Sequence, residues 1–314
     1  MRCARAWRKV TVRTAAGMKP DRTTLAQRAL PVATVLAVVL LLWYLGAVGL
    51  NAAGAIERVL APRTPTGAYT SSELISTTLN MQRPVLPAPH QVVVDLWHSL
   101  VDWPVDSPRN LLYHAGVTAQ STLVGFALGT LLGMGLAAAI VHSRTLDRAL
   151  LPWIVASQTV PVLAIAPIVL VILGSLGFEG VAPKATIAMY LCFFPVTVAM
   201  VQGLRAPQRL ETELMHTYAA SRWQAFWLLR LPSALPFLFP SLRVAIAAGV
   251  VGAMVAELPT GAQAGLGARL LTGSYYGNTV GIWSALVMSA LLGLGLTSTV
   301  ALVERLVLRQ RSAA

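Results

Sequence analysis

Apolar and polar stretches alternate six times along the chain. The apolar stretches lie at roughly 31–50, 118–141, 154–176, 185–204, 237–258 and 283–303. A helix needs about 20 residues to cross the hydrocarbon of a bilayer. Inside lipid a helix also satisfies all of its own backbone polar groups. The pattern therefore predicts an all-α, polytopic membrane protein with six transmembrane helices and both termini on one side. It divides the chain into a basic tail at 1–28, a first transmembrane helix at 29–50, a proline-rich segment at 51–116, a core of five spans at 117–308 with a polar loop at 205–236, and a tail at 309–314.

Finer features fall inside this frame. Residues 51–116 carry Pro62, Pro65, Pro84, Pro87, Pro89, Pro104 and Pro108, a density that prevents long helices. One short helix is predicted between His90 and Val101, with Trp97 and Trp103 suited to the membrane interface. The second span carries Gly125, Gly129, Gly133 and Gly135. Small residues at this spacing let helices approach closely in lipid, and packing within the chain is the favoured use. The third span is interrupted by Pro161 and Pro167, with Gln158 and Thr159 beside the first break. Such a break survives in a membrane only where protein or a water-filled cavity satisfies the freed backbone groups. It fits either a kinked packing helix or a gate along a pathway. Glu257 ends the fifth span, where it either faces water, pairs locally or serves a pathway. The loop after it, as far as Ile282, is rich in glycine.

Composition strengthens the membrane assignment and charge orients it. Hydrophobic residues make up 56% of the chain and charged residues 11%, against roughly 25% charged in a soluble domain. The net charge of +12 is placed asymmetrically: 18 basic residues flank one side of the six spans and 6 the other. Basic flanks stay in the cytoplasm, so both termini and the 205–236 loop are predicted to be cytoplasmic. An excess of charge placed this way needs no nucleic-acid partner. The basic region before the first span is longer than that of a secretory signal, which predicts an uncleaved span.

Several chemistries have no sequence support. No phosphate-binding loop G-x-x-x-x-G-K-[ST] occurs, and no glycine precedes a lysine. Cys3 and Cys192 are far apart, and only His90 and His98 among the histidines share a short helix, a weak basis for zinc. No metal site, catalytic residue or cofactor is expected in this chain. The first four spans and most of the sixth hold no charge in their interiors, whereas ion-coupled transporters commonly bury ionisable groups at depth. Energy is therefore expected to arrive through the cytoplasmic loop.

That loop contains ELMHTYAASRWQAFWLLRLP, Glu213–Pro232. Residues Arg209–Tyr218 and Arg222–Arg230 read as two short helices around Ala219-Ala220-Ser221. Ser221 is positioned to cap the second helix and Pro232 to stop it. Leu214, Met215, Tyr218, Trp223, Phe226 and Trp227 form an apolar face. On residues alone this is equally a partner-docking hairpin or an amphipathic hairpin lying on the bilayer.

The spacing resembles the ATPase-docking loop of permease subunits of bacterial ATP-binding-cassette (ABC) importers. That motif runs Glu-Ala-Ala, three residues, Gly, nine residues, Ile, any residue, Leu-Pro. Glu213 stands at the Glu position, Leu214 and Met215 replace the two Ala, Ala219 replaces the Gly, Leu229 the Ile, and Leu231-Pro232 close it. Outside the loop the resemblance is to the nitrate, sulfonate and taurine group. It rests on Leu86-Pro87-Ala88-Pro89, Ser121-Thr122-Leu123, Gly125-Phe126, Gln158-Thr159 with Pro161 and Pro167, and Gly265-Leu266-Gly267 after Glu257. It covers about residues 84–308 and makes 51–80 an insertion.

The resemblance implies a type I ABC importer permease-like fold. It also implies a second permease copy, two ATPase subunits that hold ATP and Mg, and an external solute-binding protein. ATP binding would close the ATPases, move the docking helix and open the path outward. If the motif's Gly has positive φ, Ala219 costs on the order of 1 kcal/mol there. Glu257-Leu258-Pro259-Thr260-Gly261 and Ser274-Tyr275-Tyr276-Gly277 look closest to permeases for pyrimidine- or hydantoin-like compounds. The group also includes riboflavin, sulfonate and nitrate permeases. A scaffold or receptor that recruits a soluble protein, and an ion-coupled secondary transporter, remain the alternatives.

Overall fold

The computed structural model describes residues 22–60, 62, 69–259 and 264–312. The tail at 1–21, Pro65 within 63–68, Thr260-Gly261 and residues 313–314 lie outside the described residues. Every regular element among the described residues is a helix. The chain forms two compact units, one ending at Leu79 and one starting at Asn80.

In the first unit, α1 (Arg22–Ala55) continues through a π turn, Ile56–Leu60, and packs on α2 (Ser71–Leu79). The sequence pattern does not foresee α2, because Ser72, Ser76, Thr77 and Thr78 dilute its apolar face. Along α1, Leu30, Val35, Leu41 and Leu45 are exposed, as suits a lipid-facing helix.

The second unit opens with α3 (Pro89–Val101), close to the predicted 90–101. Then α4 (Leu111–His142) begins seven residues before the predicted second span. Its start is set by Asn110, whose Oδ1 accepts the Leu112 N–H at 2.8 Å while its Nδ2 donates to the Trp103 carbonyl at 2.7 Å. The third span is two helices, α5 (Arg144–Ser157) and α6 (Val162–Ser175), bent by 102° at the break before Pro161. The stretch between the predicted second and third spans is thus mostly helix, capped by Ser143. At the break the Ser157 carbonyl accepts the Tyr190 hydroxyl from α7 (Val181–Leu204), so protein supplies a partner for a carbonyl at the broken helix end.

After α7 the chain enters the polar hairpin, α8 (Arg209–Thr217) and α9 (Arg222–Ala225), and a π turn, Phe226–Arg230. It continues directly into α10 (Leu231–Glu257), passes through α11 (Leu266–Tyr276) and ends in α12 (Thr279–Ser312). Among the described residues five helices are long and apolar enough to cross a membrane, six if the bent pair counts as one span.

The bundle is organised around α7. Side-chain-free positions on α4 bring its backbone onto α7: a Cβ at Gly129 would lie 2.6 Å from Cys192 Cβ, and one at Gly125 2.5 Å from Ala188 Cβ. A Cβ at Gly135 would meet nothing within 4 Å. The predicted packing role thus falls on the row Gly125, Gly129, Gly133, the residues at small-xxx-small spacing. Gly249 and Gly252 of α10 approach the same α7 residues, Cys192 and Ala188. Cys192, Val196, Met200 and Leu204 fill the seam with Ala234, Leu238 and Ala245. Close approach replaces the hydrophobic drive that is missing between helices in lipid.

Candidate functional site

The two ends of α10 carry the two polar sites of the second unit. They are separated by a 27-residue helix, about 40 Å long at 1.5 Å per residue.

At the first end stands the hairpin. The Gln208 N–H donates to the Glu211 carboxylate at 2.8 Å, which fixes the start of α8. Its end is a Schellman turn: the Ala219 N–H bonds the His216 carbonyl at 2.9 Å and the Ala220 N–H bonds the Met215 carbonyl at 3.0 Å. The residue between these bonds must be left-handed, and Ala219 has φ +52°. The position where the docking motif has Gly therefore demands positive φ, and this chain meets the demand with Ala at a cost of about 1 kcal/mol. Ser221 caps α9 reciprocally, its Oγ accepting the Gln224 N–H at 3.2 Å and its own N–H donating to Gln224 Oε1 at 2.8 Å.

Two expectations for the hairpin are corrected. Pro232 does not stop a helix. The π turn bonds the Leu231 N–H to the Phe226 carbonyl, and this insertion lets the helix pass the missing proline N–H into α10. Phe226 does not belong to the exposed face. It is buried against the bundle beside Ile140, Ile154 and Leu204, with its ring 5.1 Å from that of His142. It anchors the hairpin, whereas Trp223 and Trp227 remain exposed.

The remaining predicted residues divide by face. Leu210, Leu214 and Tyr218, at spacings of four, are 74%, 54% and 76% exposed and form one stripe along α8 and its C-terminal cap residue. Glu213 lies beside that stripe, paired with Arg209 at 2.7 Å. Met215, Leu229, Leu231 and Pro232 are half-buried towards the bundle.

At the far end of α10 Glu257 is fully buried. Its carboxylate accepts the Thr118 hydroxyl at 3.0 Å and the Gly267 N–H at 2.8 Å, with Lys184 Nζ 3.7 Å away. Lys184 also donates to the Ala264 carbonyl at 2.9 Å. Thr118 Oγ1 accepts the Leu266 N–H at 2.9 Å. His114 Nδ1 accepts the Gly265 N–H at 3.0 Å, which leaves Nε2 to donate to the Pro108 carbonyl at 2.8 Å. The Gly265-Leu266-Gly267 turn is thus held by side chains of α4, α7 and α10. Glu257 is thus paired inside the bundle with Lys184 of α7.

The other candidate pathway residues sit elsewhere. Gln158, Thr159 and Pro161 are exposed at the α5–α6 break. Pro167 lines a cavity of about 840 Å³ between α4, α6 and α7, together with Gln120, Lys184 and Pro259. The structure does not bring Glu257 to that cavity with Gln158 and Thr159. Lys184 lies one residue before the predicted fourth span, and Thr118 and His114 carry no motif in the sequence. Thr118 and Glu257 are 139 positions apart, and only the presence of polar side chains near the start of an apolar span hinted at them.

The second unit is thus a helical bundle with a capped, apolar-striped hairpin between α7 and α10. The family model described as binding-protein-dependent transport system inner membrane component matches residues 129–312, more than half of the chain. The chain is 33% identical over 223 residues to the formylaminopyrimidine transport permease protein ThiX of Halalkalibacterium halodurans, covering 70% of this chain and 83% of that protein. It is 32% identical over 225 residues to the riboflavin transport system permease protein RibX of Chloroflexus aurantiacus, covering 72% and 80%.

The chain belongs to this family and is a membrane-spanning permease subunit of an ABC importer. It is a multi-pass inner-membrane protein and not itself an enzyme, and its family works with ATPase and binding-protein partners. The scaffold and secondary-transporter readings fall away.

Proposed function

We propose that two copies of this chain form the path of an importer for a planar nitrogen heterocycle of the pyrimidine class. Each copy engages one of two ATPase subunits through the 209–230 hairpin. ATP and Mg belong to those subunits, which hydrolyse ATP, and an external binding protein delivers the solute. Both termini and the hairpin are cytoplasmic, as the 18 to 6 distribution of basic residues favours.

The observation that carries the docking role is the stripe of Leu210, Leu214 and Tyr218. A helix tied at both ends and anchored from behind by Phe226 presents it rigidly outward. An ATPase cleft that receives α8 transmits its closure through Phe226 and the π turn into α10. Since α10 packs on α7 and ends at the Gly265–Gly267 turn, movement at one face reaches the other. Support for the solute class comes from two relatives, named for formylaminopyrimidine and riboflavin transport, both heterocycles containing a pyrimidine-type ring. The α5–α6 break, with Gln158, Thr159 and Pro161 exposed, fits a gate element, and Pro167 fits the wall of the path.

The test is co-purification of the detergent-solubilised chain with the ATPase encoded beside it. Glu213→Lys is expected to abolish association. Arg209→Gln removes the same ion pair without reversing charge at 213 and is expected to preserve it. Association that survives Glu213→Lys refutes the docking role. Binding assays of pyrimidines, hydantoins and riboflavin on the partner binding protein test the solute class separately.

A further inference from the structure

Behind the docking helix lies a cavity of about 520 Å³, enclosed by α8, α9, the π turn and the junction of α4 with α5. Thr212, Met215 and His216 face it from α8, the side opposite the exposed stripe. Three arginines line it from three elements: Arg144 at the start of α5, Arg222 at the start of α9 and Arg230 in the π turn. No lining residue is acidic.

The nearby carboxylates are engaged elsewhere. Asp147 pairs with Arg205 at 2.8 Å, Glu213 pairs with Arg209, and Glu211 accepts the Gln208 N–H. Arg144, Arg222 and Arg230 form no ion pair among the described residues. Basic flanks that only set topology need not share a cavity, whereas here three arginines that form no ion pair among the described residues line one volume.

We propose that this cavity binds a phosphate group, presented by an anionic phospholipid headgroup. A phosphate offers several oxygens to guanidinium forks in different planes. Basic pockets between transmembrane helices on the cytoplasmic side hold such headgroups. The cavity lies at the hairpin end of the spans, and its cytoplasmic placement rests on the orientation proposed above. Exposed Leu146 and Trp153 on α5 and Leu228 on the π turn offer apolar surface for the attached chains. The occupant lies between α8 and the bundle without touching the ATPase-facing stripe, so the bilayer's anionic lipid content would tune how firmly the docking helix is seated.

Native mass spectrometry of the full chain in neutral detergent tests this without needing transport, ATPase or orientation. Short-chain phosphatidylglycerol, short-chain phosphatidylcholine and inorganic phosphate are titrated separately, and phosphate is also added as a competitor. Phosphatidylglycerol is expected to bind in preference to phosphatidylcholine and to be displaced by phosphate. Arg144→Gln with Arg222→Gln is expected to weaken binding roughly 25-fold, about fivefold per arginine. Arg148→Gln with Arg305→Gln removes the same charge from the same side outside the cavity and is expected to change it less than about twofold, since no convergent site is lost. Phosphate binding without lipid binding, lost in the first pair, assigns the site to the free anion. Equal weakening by both pairs, or no binding of either probe, overturns the proposal.

Discussion

Gly265→Ala tests whether the Gly-Leu-Gly turn is locked by the buried carboxylate. Gly265 has φ +127° and ψ 160°, a region essentially confined to glycine, and a side chain there costs about 1–3 kcal/mol. A Cβ would also collide with the Glu257 carboxyl group. That group cannot retreat without loosening its bonds to Thr118 and Gly267, each worth about 1.5–3 kcal/mol as a hydrogen bond to a charged group. The backbone cost together with the loss of one of the two bonds gives about 3–6 kcal/mol.

Gly277→Ala is the internal comparison. Gly277 is left-handed at φ +65°, and a Cβ there would meet nothing within 4 Å, so only the backbone cost of about 1 kcal/mol applies. Thermal unfolding of the purified chain in detergent reads the difference. Gly265→Ala is expected to lower the apparent Tm by on the order of 10 °C and Gly277→Ala by a few degrees. Equal shifts would refute the reasoning, since they would show that the carboxylate yields freely and only backbone conformation matters.

Three further outcomes follow from the same geometry. Lys184→Met leaves Glu257 as a buried charge without its cation and is expected to cost about 3–5 kcal/mol, whereas Lys184→Met with Glu257→Gln recovers much of it; a double-mutant cycle on unfolding measures the coupling. Ala219→Val places a β-branched residue at φ +52° and is expected to weaken ATPase association, whereas Ala219→Gly preserves or strengthens it, read by the same co-purification. Gly129→Val drives a side chain into Cys192 and is expected to abolish a monodisperse product in size-exclusion chromatography, while Gly135→Val leaves it intact.

Much of this protein is legible as one-dimensional pattern. Apolar run length sets the number of spans, because bilayer thickness fixes helix length, and the basic flanks propose their orientation. The hairpin reads from local rules: Ser221 caps because its side chain reaches a backbone N–H three residues on. The break before Pro161 reads equally well, since proline acts on its own backbone.

What distance along the chain hides, only the tertiary structure decided. Nothing near Glu257 in sequence announces Lys184, Thr118 or His114, because side chains of three helices meet there after the helices pack. Phe226 reads as one more aromatic on an exposed face, yet the packed bundle buries it. The sequence shows Ala at the glycine position of the docking motif, but its φ of +52° follows from the Schellman bonds around it. Periodicity and capping are properties of neighbouring residues; burial, pairing and the hand of a turn belong to the packed chain.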